Sequence, residues 1–268
     1  MNEFFIKYIS EIKAGFKISL VYRFNTLIHL LTAPINLAIF YFLWTAIYSY
    51  TGQEIIRGFN LPDLISYYAV NIIVTFLVWA DIDEWIEEDV RFGYMVPALL
   101  RPVSYITGQF FFLIGLKVLN LIMQTAPFFI IAILFFGVKI ASPVYFVLFF
   151  VALFMAFALS FFISFLVGLS AFWLLRISGI RRMKRVLVYF LSGSLIPLSF
   201  FPEWFQEISA FMPFEYIRYH VINIYLQKYT LFEALKIIGI QIVWILVLGL
   251  VVVLIWKKAY KKFAGAGT

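Results

Sequence analysis

The sequence predicts an all-α membrane protein with six transmembrane helices, an N-terminal amphipathic interfacial helix, and an extracellular re-entrant hairpin before the last span. Of the 268 residues, 64% are hydrophobic and only 13% are charged, whereas a soluble domain carries about a quarter charged residues. The apolar segments are continuous rather than alternating with period two, which favours helices over a β-barrel. They provide enough length for about six spans of roughly 20 residues.

Residues 1–26 are predicted to form the interfacial helix. Apolar side chains recur there at helical spacing, with charged residues on the other side: Phe5, Ile9, Ile12 and Phe16. A solvated N-terminal arm is the alternative. Because charged residues are mixed among these apolar positions, we expect no cleavable signal sequence.

Residues 27–268 are predicted to form the six-span domain. The first three spans are expected at about Leu27–Tyr48, Leu64–Ala80 and Tyr105–Phe136. The fourth runs from Pro143 to about Leu175, the fifth from the basic loop RISGIRRMKR to near Ile196, and the last covers about Phe232–Trp256. The third span is longer than a bilayer requires and contains Pro127, so we expect it to tilt or kink.

The basic residues set the predicted orientation. With six spans, fifteen of the 21 lysines and arginines fall on one side of the membrane: Lys7, Lys13, Lys17, Arg23, Arg91, Arg101, Arg176, Arg181, Arg182, Lys184, Arg185, Lys257, Lys258, Lys261 and Lys262. Lysine and arginine are enriched in cytoplasmic loops. We therefore expect a multi-pass protein of the cell membrane with both termini in the cytoplasm.

Several kinds of chemistry are absent from the sequence. No phosphate-binding G-x-x-x-x-G-K-[ST] motif occurs, there is no cysteine, and the two histidines, His29 and His220, fall on opposite predicted sides. We expect no catalytic residue, no metal and no cofactor in this chain. The acidic cluster at residues 81–89 is expected to be the solvated face of a helix whose other face is apolar.

Two segments carry a resemblance to a known family. GYMVPALLRPVS covers Gly93 to Ser104, and SGSLIPLSFFPEWFQEISAFMPFEY covers Ser192 to Tyr216. A glycine followed by a Leu-Leu-Arg-Pro turn resembles one branch of the type-two ATP-binding-cassette (ABC) exporter permeases, as does a P-L-S-F-F-P-E-W stretch followed by M-P-F. The six-span layout is similar as well, so the resemblance covers essentially the whole chain.

The resemblance implies a membrane-spanning permease subunit that forms half of the translocation path of an ATP-driven exporter. It implies a separate cytoplasmic ABC ATPase, in two copies per complex, that holds ATP and Mg. It also implies a second permease, which in this branch is usually a different chain and is otherwise a second copy. We expect membrane lipid around the protein, no nucleic-acid partner, and an amphipathic or lipid-like cargo.

The loop at residues 81–104 is predicted to hold a coupling helix that is seated in a groove of the ATPase. A glycine permits a sharp turn, one proline suits a first helical turn and another ends the helix, and leucines form an apolar tip. The residues assigned to this contact are Gly93, Pro97, Leu99, Leu100, Arg101 and Pro102. An ordinary interfacial loop is the alternative.

Residues 197–216 are predicted to form the re-entrant hairpin, because they hold too many large apolar groups for a solvated loop and their prolines forbid a continuous span. In the resembling family this element helps to close the external gate, which here would consist of Pro197, Phe200, Phe201, Pro202, Trp204 and Pro213. An aromatic belt on the lipid surface is the alternative. Arg218, His220 and Asn223 are expected to shape the exit or to be solvated.

Five polar residues inside the spans are candidates for the transport path: Asn36, Asn71, Lys117, Ser192 and Ser194. Polar residues in membranes also bond neighbouring helices, which is the alternative for the asparagines and serines. Lys117 lies about 18 Å along its helix from Tyr105. It is expected either to meet an anionic group in the path or to reach back to the interface.

Three other functions remain open at this stage. A polysaccharide or glycolipid exporter permease of the same superfamily would carry the same motifs. An ion-driven secondary transporter predicts paired intramembrane carboxylates and inverted repeats, but no Asp or Glu falls well inside the predicted spans. A membrane anchor or sensor without transport activity is the third.

Overall fold

The computed structural model describes residues 2–265, and the side chains of all of these except residues 2–5, 25, 264 and 265. Within this part of the chain no strand forms, and an isolated bridge joins Ile56 to Phe59. The predicted all-α class is confirmed. Helices suit a chain this apolar because each one satisfies its own backbone hydrogen bonds.

The helices form two groups. The long ones are α2 (Arg23–Thr51), α3 (Leu61–Val78), α6 (Tyr105–Asn120), α7 (Ala126–Phe136), α8 (Pro143–Leu169) and α13 (Leu231–Gly265), together with α1 (Asn2–Val21). This group includes α7 because it continues α6 through a π-helical turn. The shorter ones are α4 (Ile82–Arg91), α5 (Met95–Leu99), α9 (Ala171–Leu174), α10 (Ser178–Leu191), α11 (Glu203–Ala210) and α12 (Tyr219–Tyr225). A π-helical turn, Leu121–Thr125, joins α6 to α7, and two 3₁₀ turns, Leu198–Phe200 and Glu215–Ile217, flank α11.

Within residues 2–265, five helical segments are long and apolar enough to cross a membrane: Thr26–Thr51, Leu61–Arg91, Tyr105–Phe136, Pro143–Leu174 and Leu231–Phe263. They coincide with five of the predicted spans. The predicted fifth span is α10, which has 14 residues and ends at Leu191 rather than near Ile196. Its length of about 21 Å is less than the roughly 30 Å hydrocarbon core, so a count of six spans is not confirmed.

The third span changes its hydrogen-bonding pattern beside Pro127. This proline lies in the first turn of α7, directly after the π-helical turn Leu121–Thr125. Proline lacks a backbone N–H, and its ring crowds the carbonyl four residues earlier. A wider π-helical turn accommodates both effects without ending the helix.

α1 packs along α6 with the two backbones in close contact. A Cβ atom on Gly15 would lie 2.0 Å from the Phe112 carbonyl oxygen, and one on Gly115 would lie 2.0 Å from the Ile12 carbonyl oxygen. The break between α1 and α2 falls at Tyr22 rather than at the predicted boundary after residue 26. A position of α1 in the membrane surface stays a prediction, and the side chain of Phe5 lies outside the described residues.

The bundle has two ends. At one end α4 and α5 follow the last turn of α3, and we call this end the α4 side. At the other end the Asp63 carboxylate binds the amines of Lys139 and Lys228, at 2.6 and 2.9 Å. Ser199, just before α11, donates to the Arg57 carbonyl at the same end, which we call the α11 side. α3 runs between the two ends and is the most buried of the long helices.

Candidate functional site

The segment after α4 forms a short helix with an exposed apolar tip. Gly93 has φ = 78°, a left-handed conformation that favours glycine, and α5 begins two residues later with the fully buried Met95. Leu100 is 82% exposed, whereas Leu99 is half-buried against the core. A single leucine, rather than the predicted pair, therefore forms the protruding tip.

Other apolar residues around α5 are also exposed: Phe92, Tyr94, Val96 and Pro97. Arg101 and Pro102, which follow, are exposed as well. The Arg101 guanidinium lies 3.9 Å from the Glu11 carboxylate of α1. The six residues assigned to the coupling contact thus lie together at the α4 side, with Leu99 the one that faces inward.

The prediction of a solvated acidic face is wrong for Asp83 and Glu87, which are buried, whereas Glu84 and Glu88 are exposed. Asp83 is 1% exposed and forms an ion pair with Lys184 of α10 at 2.8 Å. Arg181 of α10 forms ion pairs with Glu84 at 2.8 Å and with the buried Glu87 at 3.3 Å. Periodicity finds the apolar face of α4 but cannot show that α10 brings cations against its other face.

A serine extends this contact to α8. The Lys184 amine donates to Ser164 Oγ at 3.1 Å, and the Ser164 hydroxyl donates to the Ala80 carbonyl, at the junction of α3 and α4, at 2.7 Å. The amine also lies 5.5 Å from the centre of the Trp79 ring, within the range of a cation–π interaction. Lys184 therefore joins α10 to α8 and to the start of α4.

α10 ends in the interior of the bundle, and α3 satisfies the carbonyls exposed there. Tyr67, Tyr68 and Asn71 of α3 donate to the carbonyls of residues 193, 195 and 194, at 2.6, 3.2 and 2.9 Å. These carbonyls belong to the non-helical turn directly after α10, so no hydrogen bond of that helix satisfies them. Side chains of a neighbouring helix supply the missing donors here.

Arg218 is buried beside the same part of α3. It is 1% exposed, and its guanidinium donates to Asn71 Oδ1 at 3.0 Å and to Thr75 Oγ1 at 2.6 Å. The guanidinium carbon lies 5.9 and 5.7 Å from the rings of Trp79 and Tyr189. Solvation of Arg218 at the surface, one of the two expectations, is wrong.

The predicted gate residues lie in and beside α11. Phe200 packs edge-on to Trp44 of α2, with ring centres 5.3 Å apart, and Phe201 stacks on Phe205 at 4.4 Å. Pro197 is buried, Pro202 precedes α11, and Pro213 is half-buried in the turn that follows it. Trp204 is 62% exposed. The segment of residues 197–213 thus contacts α2 through Phe200 and leaves part of its aromatic surface uncovered.

A second polar cluster lies on α12. His220 contacts the Tyr229 hydroxyl through Nδ1 and the Glu215 carboxylate through Nε2, each at 2.8 Å. Burial, reinforced by nearby Tyr219 and Glu215, raises the pKa of Tyr229, so its phenol stays protonated. Asn223 is buried as well. Surface solvation is therefore the wrong description for both His220 and Asn223.

The five path candidates do not converge. Asn71 and the backbone of Ser194 meet at the end of α10, and Ser192 is buried beside them. Asn36 is exposed on α2. The Lys117 amine donates to the Phe76 carbonyl of α3 at 3.1 Å and lines a cavity on the α4 side. Asn71, Ser192 and Ser194 therefore form one group, and Asn36 and Lys117 lie apart from it.

Sequence reasoning missed Tyr67, Tyr68, Thr75, Asp83 and Lys184. One signal was present, because Tyr67, Tyr68 and Asn71 fall on one helical face of an otherwise apolar segment. No comparable signal pairs Asp83 with Lys184, because they are far apart in the sequence.

Comparison with protein families gives one match. The model of a family described as ABC-2 family transporter protein matches residues 35–267, leaving out α1 and the first part of α2. The match identifies a family and does not distinguish the motif branch within it. No curated protein matches the chain.

Proposed function

Because the chain belongs to the ABC-2 family of transporter proteins, we propose that it is the membrane-spanning permease subunit of an ATP-driven exporter and binds a separate cytoplasmic ATPase through α5. The family and the five apolar helices make it a multi-pass membrane transporter component. The observation that carries the coupling role is the exposed tip of α5, where Leu100 is 82% exposed on a helix anchored by buried Met95.

In this proposal the α4 side faces the cytoplasm of the cell membrane, as do both termini. The basic residues of α10 and of the C-terminal part of α13 support this orientation. α10 then enters from the cytoplasm and ends inside the membrane, and the hairpin of α11 and α12 dips in from outside to complete the crossing. The hydrogen bonds from α3 to the carbonyls of residues 193 and 194, directly after α10, support a turn of the chain at membrane depth.

A continuous series of contacts connects the proposed ATPase contact to the proposed gate. α5 is linked by Gly93 to α4, α4 is held to α10 by the ion pairs of Asp83 and Glu87, and α10 leads directly into the hairpin. Closure of two ATPase subunits around ATP would tilt α4, and α10 would follow. The two permease halves would thereby alternate between inward-open and outward-open states.

The partners follow from the same proposal. Two ATPase subunits hold ATP and Mg, since this sequence has no phosphate-binding motif. A second permease, a different chain in the arrangement we favour and otherwise a second copy, completes the membrane part. The cargo is an amphipathic or lipid-like compound.

The test begins with purification of the tagged chain and identification of a co-purifying protein that carries a G-x-x-x-x-G-K-[ST] motif. In that complex, Leu100→Asp should weaken ATPase binding by about tenfold or more, because a charge would replace a central apolar contact. Both the amount of co-purified ATPase and its ATP hydrolysis rate are measured.

Ile55→Asp is the matched control, because Ile55 is 65% exposed in a loop on the α11 side. It should leave ATPase binding unchanged. Equal binding and hydrolysis in the wild type and in Leu100→Asp would rule out α5 as the coupling contact.

A further inference from the structure

A cavity of about 780 Å³ opens on the α4 side between α1, α4 and α6. This volume lies within the range of about 300–1,000 Å³ that is usual for ligand sites. Its walls include aromatic rings from several helices: Tyr22, Trp79, Trp85, Tyr105 and Phe112. The contacts described above for the hairpin and for the ion pairs of Asp83 and Glu87 do not involve this cavity.

Lys117 lines this cavity together with Asn120, which lies three residues further along α6. A hydrocarbon core of roughly 30 Å takes about 20 helical residues, and counting 20 residues back from Phe136 reaches Lys117. With the far boundary of the hydrocarbon placed at Phe136, where α7 ends, the amine lies at the near boundary between hydrocarbon and headgroups. Its hydrogen bond goes to the Phe76 carbonyl, and within the described side chains no carboxylate lies within ion-pair distance. The ammonium keeps donors available for an anionic ligand.

Negative charge predominates on the wall of the cavity that α4 forms. Four carboxylates and two cations line the cavity: Glu11, Asp81, Glu88, Asp89, Arg101 and Lys117. Asp81 is held by the Trp79 indole at 2.7 Å, five residues beyond the carbonyl that binds Lys117. Further along the cavity Asp89 accepts a hydrogen bond from Tyr105. A cation at the membrane boundary is thus followed by acidic groups toward the open end.

We propose that this cavity binds the headgroup of a zwitterionic aminophospholipid from the adjacent leaflet. The phosphate would contact Lys117 at the hydrocarbon boundary, and the acyl chains would stay in the lipid. The ammonium would reach Asp81, within the aromatic walls formed by Trp79 and Trp85, where cation–π contact adds to the charge attraction. An anionic lipid without an amine would face uncompensated carboxylates, and an amine without a phosphate would leave Lys117 unpaired.

The proposal depends on the position of the cavity in the membrane and not on coupling to an ATPase. The test uses the full chain in nanodiscs and measures lipid retention by native mass spectrometry. Phosphatidylethanolamine should be retained at least tenfold more strongly than phosphatidylglycerol of the same chain length. Lys117→Met should lower this retention by about tenfold, as loss of one charge-assisted hydrogen bond predicts.

Lys236→Met serves as the control, because Lys236 is an exposed lysine on the first part of α13. This variant should leave the retention of both lipids unchanged. Asp81→Asn should remove the preference for the amine while phosphatidylglycerol binding is kept, which separates headgroup recognition from misfolding. Equal retention of the two lipids by the wild type would overturn the proposal. Displacement of the lipid by water-soluble phosphoethanolamine at equal concentration would assign the site to a soluble compound and also overturn it.

Discussion

Lys184 and Arg218 are two cations that the bundle buries, and it stabilises them in different ways. Lys184 has a carboxylate partner in Asp83 and a hydroxyl partner in Ser164. Arg218 has no carboxylate within ion-pair distance among the described side chains, and its guanidinium bonds Asn71 and Thr75 instead. Its backbone neighbour Tyr219 donates to the Ser192 carbonyl directly after α10.

At the residue scale, Asp83→Asn should destabilise the chain by about 3–5 kcal/mol, because it leaves the buried Lys184 ammonium without a counter-charge. The midpoint of thermal unfolding in detergent should fall accordingly. The double variant Asp83→Asn, Lys184→Met should recover much of the loss, since neither charge then remains buried.

Glu84→Gln is the comparison for this pair. The Glu84 carboxylate is 49% exposed although it lies 2.8 Å from Arg181, and exposed ion pairs contribute about 1 kcal/mol or less. A loss as large as that of Asp83→Asn would contradict the assignment of the stabilisation to the buried pair.

At the element scale, the end of α10 is the feature that determines how the chain enters the segment from Pro197 to Tyr216. The chain leaves helical geometry at Ser192, and the carbonyls of residues 193–195 turn toward α3 instead of continuing a helix. Backbone outside a helix is tolerated at membrane depth only where protein groups satisfy it. The polar residues of α3 therefore permit the hairpin to begin inside the bundle.

Tyr67→Phe should destabilise this element by about 1–3 kcal/mol, because the Gly193 carbonyl would lose its buried hydrogen bond. Hydrogen exchange of the backbone amides at residues 192–196 should accelerate. Tyr50→Phe is the matched control, because the Tyr50 side chain is 93% exposed. Unchanged exchange in Tyr67→Phe would mean that this hydrogen bond does not hold the end of α10.

At the scale of the whole molecule, α2 leaves a broad apolar face uncovered, with Leu31, Ile35, Ile39 and Phe42 each more than half exposed. Asn36 lies among them and is also exposed. An amide facing hydrocarbon would lack hydrogen-bond partners, whereas a second helix or a water-filled path supplies them. This arrangement supports a second permease beside α2.

A photo-crosslinking phenylalanine analogue placed at Asn36 should therefore capture a second permease, and the mass of the product shows whether that chain is identical or different. The same analogue at Leu246, which is 67% exposed on α13, should give lipid adducts or no product. Lipid adducts alone from position 36 would contradict a permease contact at α2.

The positions of the long helices could be predicted from the sequence because hydrophobicity over 20 residues is a local property. The tilt or kink at Pro127 and the turn at Gly93 could likewise be predicted, since each residue restricts or frees the backbone of its own neighbourhood. The end of α10 was predicted too far along, because Leu195 and Ile196 are apolar, whereas the turn at residues 192–194 depends on hydroxyl and amide donors of α3. The outward position of Leu100 relative to Leu99 depends on contacts that the local sequence does not show.

The sequence by itself determined that this protein is a helical membrane protein of a transporter family, because composition, apolar run length and motifs are local. The tertiary structure decided which polar groups are buried together. Asp83 meets Lys184 across about one hundred residues of chain, and Arg218 meets Asn71 across about 150. Such pairings depend on how the helices pack, since a buried charge is stable only where packing brings it a partner.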